Sequence, residues 1–330
     1  MANISRTEIR YDDSNDLNLN SQQFGHETIA WIATVIAICG VFGNILGAVV
    51  LHRMQKTNSG VRLLKYLSLV DVILLVLVFL SSILLLFNTH VARTVCAIFH
   101  PFAYLLAMAL YTFEIYLTVL IAVQRCTAVT FPFKSGFFLR VINKVLGAVA
   151  VFTVAFNVPL WLTFWPRPYW NPDLNMQLFY QDQQGGFLGI DGFKVYIGFV
   201  LVFRCVIPLT ILITCNIILT ISSRRQNSGN GQTWNKGFTA LVVAITTMSV
   251  VTHDVSAVDL LLWVIDSSTT NTDFQNVVVL LITINCSTNF IFYYSFGKIF
   301  RQNFKSFFKV VLNVCCKENN EEENTDLTSC

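Results

Sequence analysis

The sequence contains seven apolar runs, and each is long enough for a helix that crosses a membrane. About 20 helical residues cross the hydrocarbon core of a bilayer, and a spanning segment in lipid must satisfy its backbone hydrogen bonds internally. Only 12% of the 330 residues are charged, about half the share in soluble domains. We therefore predict an all-α membrane protein, a seven-transmembrane helix bundle. The runs cover about Thr28–His52, Arg62–Phe87, Cys96–Val129, Val141–Phe164, Phe193–Ser222, Gly237–Ile265 and Phe274–Phe296.

The pattern divides the chain into a polar tail over 1–27, the seven-transmembrane domain over 28–296, a surface helix over 297–316 and an acidic tail over 317–330. In the surface helix, basic residues alternate with phenylalanines, which is typical of an amphipathic helix lying on a membrane. Membrane lipid is therefore an expected partner. Cys315 and Cys316 close this segment and are candidate palmitoylation sites. The basic residues are Lys298, Arg301, Lys305 and Lys309.

The distribution of Lys and Arg predicts the orientation. Cytoplasmic loops carry an excess of these residues. With the N-terminus outside, the outer segments hold six of the 22, and the inner segments hold the others. This predicts a multi-pass protein of the plasma membrane with a cytoplasmic C-terminus, and it makes Asn3 a usable glycosylation site. The outer face is acidic, which either steers cationic ligands or only maintains solubility. The outer basic residues are Arg6, Arg10, Arg93, Arg167, Lys194 and Arg204.

Several motifs in the runs resemble those of rhodopsin-family (class A) G-protein-coupled receptors. Asn289 and Tyr293 occupy the family's Asn-Pro-x-x-Tyr pattern, with Phe290 in place of proline. This Asn-Phe form, with Gly297, Phe300 and Arg301 after it, is similar to FMRFamide-like neuropeptide receptors. Other matches are Gly43-Asn44 in the first run, Leu67 and Asp71 in the second, and Arg125, Ala128, Val129 and Pro132 around the end of the third.

The resemblance implies a receptor for an extracellular peptide, FMRFamide-like, that signals through a heterotrimeric G protein. It places coupling and activation at Arg125, Asn289, Tyr293 and His253. The implied outer pocket is formed by runs three, five, six and seven together with the second outer loop. Asp259 and Asp266 are candidates to bind a basic peptide terminus, and Arg204 points either into the pocket or to a carboxylate partner. The candidate ligand-binding residues are Tyr104, Met108, Tyr111, Arg204, Asp259 and Trp263.

The resemblance also implies a cation site in the bundle core. Its members are Asp71, Glu114, Asn285 and Asn289, and His253 is expected to approach them from the sixth run. Two adjacent carboxylates cannot both remain charged without compensation, so one holds a proton or the pair holds a cation such as Na⁺. The alternative is a purely structural, hydrogen-bonded polar core. No other cofactor is expected.

Some family features are missing. Gln124 replaces the acid that precedes Arg125, which removes an ion pair that normally holds this arginine. The sixth run reads Thr252-His253-Asp254-Val255, without the family's tryptophan and kink-forming proline, so a straighter helix is predicted. Cys96 has no cysteine partner in the loop after run four, so that loop is either ordered by aromatic packing or mobile. These aromatic residues are Trp165, Tyr169, Trp170, Phe179 and Tyr180.

Other functions fit less well. Ala107 stands where amine receptors have their aspartate, and Thr283 where opsins have the retinal lysine. A seven-helix scaffold or decoy that does not couple to G proteins is the main alternative, because several motifs are weakened. A transporter is less favoured, because no repeat or paired broken helices are evident. We expect no enzyme activity and no nucleic-acid partner.

Overall fold

The computed structural model describes residues 13–54, 59–87, 90–131, 135–172, 176–180, 188–226, 233–265 and 272–310. Seven helical segments in this part of the chain are long and apolar enough to cross a membrane. The helices are α1 (Asp13–Met54), α2 (Ser59–Leu86), α3 (His90–Thr130), α4 (Ser135–Thr163), α5 (Gly189–Val200), α6 (Ile207–Gln226), α7 (Thr233–Ile265), α8 (Thr272–Phe296) and α9 (298–310). The predicted seven-transmembrane bundle is confirmed.

The spans agree with the apolar runs to within a few residues at most of their ends. Helix α1 is the clearest difference, because it begins at Asp13 within the segment that the sequence predicts as a tail, although its apolar span begins at Glu27. Residues 1–12 lie outside the described chain, and so does the glycosylation candidate Asn3. Helix α7 runs unbroken from Thr233 to Ile265, as expected for a span without proline.

The fifth span contains a wide turn just before its proline. A π-helical turn, Leu201–Val206, joins α5 to α6, and Pro208 follows in the first turn of α6. Proline has no N–H to donate and its ring clashes with the carbonyl four residues earlier, which here belongs to Arg204. The wider turn accommodates this defect, and such turns are frequent at functional sites. It places Arg204 in the bundle with 8% of its surface exposed.

A two-stranded hairpin follows α4, and the sequence did not predict it. Strands β1 (Arg167–Asn171) and β2 (Met176–Tyr180) pair antiparallel, with Arg167 opposite Tyr180. The hairpin is held to α3 by aromatic contacts, because the Phe102 ring lies 5.6 Å from Phe179 and 6.3 Å from Trp165. Trp170 is 60% exposed, so it contributes little to this packing. We call this side of the bundle the hairpin end.

The opposite side carries α9, and we call it the Arg125 end. Arg301 of α9 donates from Nη1 to the carbonyls of Tyr294, at 2.9 Å, and Ser295, at 2.5 Å, which satisfies the last turn of α8. Phe290, which stands where the family has proline, packs against the rings of Phe300 and Phe304. The surface helix is therefore anchored by the residue that departs from the motif. Residues 311–330 lie outside the described chain, and Cys315 and Cys316 with them.

Candidate functional site

The bundle core brings the two predicted carboxylates together with the two predicted amides. Asn289 Nδ2 donates to Asp71 Oδ2 at 2.6 Å, and Asn285 Nδ2 donates to Glu114 Oε1 at 3.3 Å. Asp71 is fully buried, and Glu114 is 1% exposed. These contacts connect α2 and α3 to α8. Asn285 and Asn289 are four residues apart, so they lie on one face of α8 and each meets one acid.

Each carboxylate keeps a second oxygen without a hydrogen-bond partner. These oxygens are Asp71 Oδ1 and Glu114 Oε2, and both are shielded from solvent. A buried acceptor without a partner costs about 1–3 kcal/mol, and more if it is charged. The arrangement therefore leaves two oxygens for a bound proton or cation. Oxygen atoms of this kind are the ligands that hard cations such as Na⁺ prefer.

His253 does not join the acids, which corrects our expectation for it. Its Nδ1 lies 2.9 Å from the Tyr111 hydroxyl, which also lies 3.1 Å from Ser256 Oγ. Ser256 donates to the Thr252 carbonyl. These three hydrogen bonds are compatible with one another when His253 Nδ1–H donates to the Tyr111 hydroxyl and the Tyr111 hydroxyl donates to Ser256. His253 thus ties α7 to α3 through Tyr111, one turn from Glu114.

The predicted pocket residues lie on the inner faces of α3, the π-helical turn and α7. The Arg204 guanidinium lies 4.9 Å from the centre of the Tyr111 ring and donates to the Met108 thioether at 3.7 Å. Tyr104 is half-buried and stacks with His100 towards the hairpin end. Asp259 on α7 is also half-buried. The side chain of the sixth candidate, Trp263, lies outside the described part of the structure.

Arg125 is bound to α7 at the other end of the bundle. Its Nε and Nη2 donate to Thr239 Oγ1 at 3.1 and 2.9 Å, and its guanidinium lies 4.9 Å from the Phe238 ring. Gln124 is turned away and donates to Ser59 Oγ at 3.1 Å. Thus Thr239 and Phe238 hold Arg125 where the family uses the neighbouring acid.

Tyr293 and Asn44 complete a polar column between the pocket and Arg125. The Tyr293 hydroxyl is fully buried and lies 3.1 Å from the hydroxyl oxygen of Ser68 on α2. Asn44 donates from Nδ2 to the Cys286 carbonyl at 2.8 Å, which joins α1 to α8. All three matched motif residues in this part of the core, Asn44, Asp71 and Tyr293, therefore make contacts between helices.

Sequence reasoning missed the small polar partners of this column. Thr239, Ser256 and Ser68 each bind a predicted site residue, and each is buried. Ser and Thr also bond to their own helix backbone, so their presence in an apolar run carries little information about partners. Their only signal is position: each lies on the face of its helix that the bundle buries.

Two comparisons with known proteins bear on this geometry. Residues 34–237 match the model of the serpentine type 7TM GPCR chemoreceptor Srx family. A protein described as probable G-protein coupled receptor frpr-1 from Caenorhabditis elegans is 23% identical over 313 residues. That match covers 88% of this chain and 82% of the relative. The family match covers the first five spans and reaches the start of the sixth.

Proposed function

The chain belongs to the serpentine type 7TM GPCR chemoreceptor Srx family, and we propose that its ligand is an extracellular FMRFamide-like neuropeptide. Membership of this family makes the chain a multi-pass receptor and not an enzyme. The support for a peptide is the Asn289-Phe290 form of the last span, together with the Gly297, Phe300 and Arg301 that follow it. These residues resemble class A receptors of the FMRFamide type.

A single observation supports signal transmission from this pocket: buried polar contacts between helices occur at three levels of the bundle, from Tyr111 to Arg125. Tyr111 binds His253 of α7, and the acids of α2 and α3 bind the amides of α8. At the far end Arg125 binds Thr239 of α7. A ligand that displaces α7 where this helix contacts Tyr111 would also displace Thr239, because α7 is one unbroken helix. The displacement would therefore reach the Arg125–Thr239 contact.

The Arg125 end is proposed to face the cytoplasm at the plasma membrane. The excess of Lys and Arg in the segments at this end supports that orientation. Helix α9 would then lie on the inner leaflet with its basic residues towards lipid headgroups. A heterotrimeric G protein would bind where Arg125 is released from Thr239, and the peptide would enter from the hairpin end, where Asp259 offers a carboxylate to an arginine of the peptide.

The acid pair is proposed to hold a sodium ion or a proton in the resting state. Asp71 Oδ1 and Glu114 Oε2 supply the two oxygens, and the buried amides of Asn285 and Asn289 fix the carboxylates in place. One positive charge there offsets the repulsion between the two acids. The occupant would stabilise one arrangement of α2, α3 and α8.

The test is second-messenger output in cells expressing the chain, challenged with a panel of amidated Arg-Phe peptides. We expect a concentration-dependent response that the Arg125→Ala variant loses at equal surface expression. Arg140→Ala, at an exposed arginine of α4, is the control and is expected to respond as the wild type does.

A response that persists in Arg125→Ala would refute coupling through this arginine. Surface expression with neither a peptide response nor a ligand-free signal sensitive to Arg125 would favour the non-coupling alternative. Gln124 and the absence of a proline from α7 are the departures from the class A pattern that support this alternative.

A further inference from the structure

Arg204 is a buried cation whose contacts do not neutralise it. Its guanidinium contacts the Met108 thioether and the Tyr111 ring, and it forms no ion pair within the described part of the chain. Arginine remains charged in proteins. A buried charge without a counterion is costly, and ionisable groups within membrane spans usually pair or mark a ligand path.

The acids on the facing helix do not supply the missing charge. Asp254 of α7 is exposed and lies near Cys205, the neighbour of Arg204, but it forms no ion pair with Arg204, and Asp259 is half-buried nearer the hairpin end. Glu114 forms no ion pair with Arg204, and one of its two carboxylate oxygens accepts a hydrogen bond from Asn285.

The remaining surroundings of Arg204 are aromatic and apolar. Met108 and Tyr111 contact it directly, and Tyr104 lies one turn further towards the hairpin end on the same face of α3. Phe164 packs on Tyr104, with ring centres 6.5 Å apart. A group that binds here must therefore carry a negative charge on an apolar or aromatic body.

We propose that Arg204 is the anchor for a carboxylate of the ligand, held beside the aromatic side chains of Tyr104 and Tyr111. The planar guanidinium donates two parallel hydrogen bonds to a carboxylate, which fixes both position and orientation. This inference rests on the proposed receptor function and narrows its ligand. Among amidated peptides this favours those with an acidic side chain, because an uncharged amide alone would leave the guanidinium unmatched.

The experiment uses the purified full-length receptor in detergent and measures its melting temperature. The probes are N-acetyl-phenylalanine, a carboxylate, and N-acetyl-phenylalaninamide, its neutral counterpart. We expect the carboxylate to raise the melting temperature by about 3 °C at a tenfold excess over its Kd, and the amide to have no effect. Binding to the purified chain requires no G protein, so this result is independent of whether the receptor couples.

Three variants complete the design. Arg204→Gln is expected to abolish the shift, and Arg204→Lys to weaken it, since an ammonium does not reproduce the planar fork. Lys194→Gln, at an exposed cation of α5, is the matched control and is expected to keep the full shift. Equal stabilisation of wild type and Arg204→Gln, equal shifts by the two probes, or no shift of the wild type by the carboxylate would each overturn the proposal.

A fourth variant separates a ligand site from a structural role. If Arg204 has no counterion, Arg204→Met without probe should melt above the wild type, because the variant removes a buried charge and fills the space with apolar atoms. If Arg204 stabilises the fold through an internal ion pair, the variant should melt well below the wild type, which would overturn the proposal even if the Gln variant does not fold.

Discussion

The Arg125 guanidinium donates to the Thr239 hydroxyl from two nitrogens, and so α3 and α7 are joined by a side-chain contact at the end of the bundle. Arg125 is 5% exposed and Thr239 is 3% exposed. Hydrogen bonds that involve a charged group contribute about 1.5–3 kcal/mol. The contact is therefore strong enough to influence which arrangement of the two helices predominates.

Thr239→Val should raise ligand-free signalling several-fold. Valine has nearly the same shape but no acceptor, and a loss of about 1.5 kcal/mol from the resting arrangement changes a two-state ratio about tenfold. Second-messenger output without peptide, normalised to surface expression, measures this. Thr214→Val is the control, because Thr214 is exposed and donates only to its own helix. An unchanged basal signal in Thr239→Val would show that the contact does not restrain α7.

Gly237→Ala should shift the same equilibrium by a different route. A Cβ at this position would lie 2.8 Å from the Phe296 carbonyl oxygen, so α7 must move away from the end of α8. Overpacking of this kind costs about 1–3 kcal/mol. We expect a higher basal signal and a lower melting temperature. Gly147→Ala, where a Cβ meets no atom within 4 Å, should be neutral or slightly stabilising, because alanine favours a helix by about 1 kcal/mol.

Sodium should raise the melting temperature of the purified receptor, compared with choline at equal ionic strength. Na⁺ would bind the unpartnered oxygens of Asp71 and Glu114, whereas choline is too large to enter. Glu114→Gln should abolish this difference, because it removes one charge and leaves the Asn285 contact able to form. Identical melting curves in both salts would argue against a sodium site, and the pair would then hold a proton or be structural only.

Tyr111→Phe should lower the melting temperature. The Tyr111 hydroxyl is the partner of both His253 and Ser256, and its loss leaves a buried ring nitrogen unsatisfied at a cost of about 1–3 kcal/mol. Tyr294→Phe, at an exposed tyrosine of α8, should melt with the wild type. If the two variants are equally stable, the Tyr111 contacts contribute nothing to joining α3 and α7.

Phe179→Ala should loosen the hairpin without unfolding the bundle. Its ring packs on Phe102 of α3, and such aromatic pairs contribute about 0.5–1.5 kcal/mol beyond their buried area. Hydrogen exchange of residues 167–180 should accelerate, while exchange in α2 and α8 stays unchanged. Replacing the exposed Trp170 with alanine should leave the exchange of the hairpin nearly as in the wild type.

The sequence was sufficient to predict the membrane spans, because the thickness of the bilayer fixes the number of apolar residues that a spanning helix needs. The spans Gly237–Leu262 and Phe274–Phe296, for example, lie close to the apolar runs. The resemblance to class A receptors also predicted that Asp71, Glu114, Asn285 and Asn289 form one set, which agrees with the cost of isolated polar side chains in lipid. The hairpin could not be predicted from the sequence, because its strands are short and its packing depends on an aromatic ring of α3.

For the core acids, then, the residue types and the resemblance to class A receptors predicted one polar cluster, because isolated polar groups in hydrocarbon are costly. The identity of each contact depended on tertiary packing. Only the fold decided that His253 binds Tyr111 and not the acids, that Thr239 holds Arg125, and that Arg204 forms no ion pair within the described part of the chain. These facts depend on the rotation and height of each helix against its neighbours, which many weak packing contacts set jointly and no local pattern specifies.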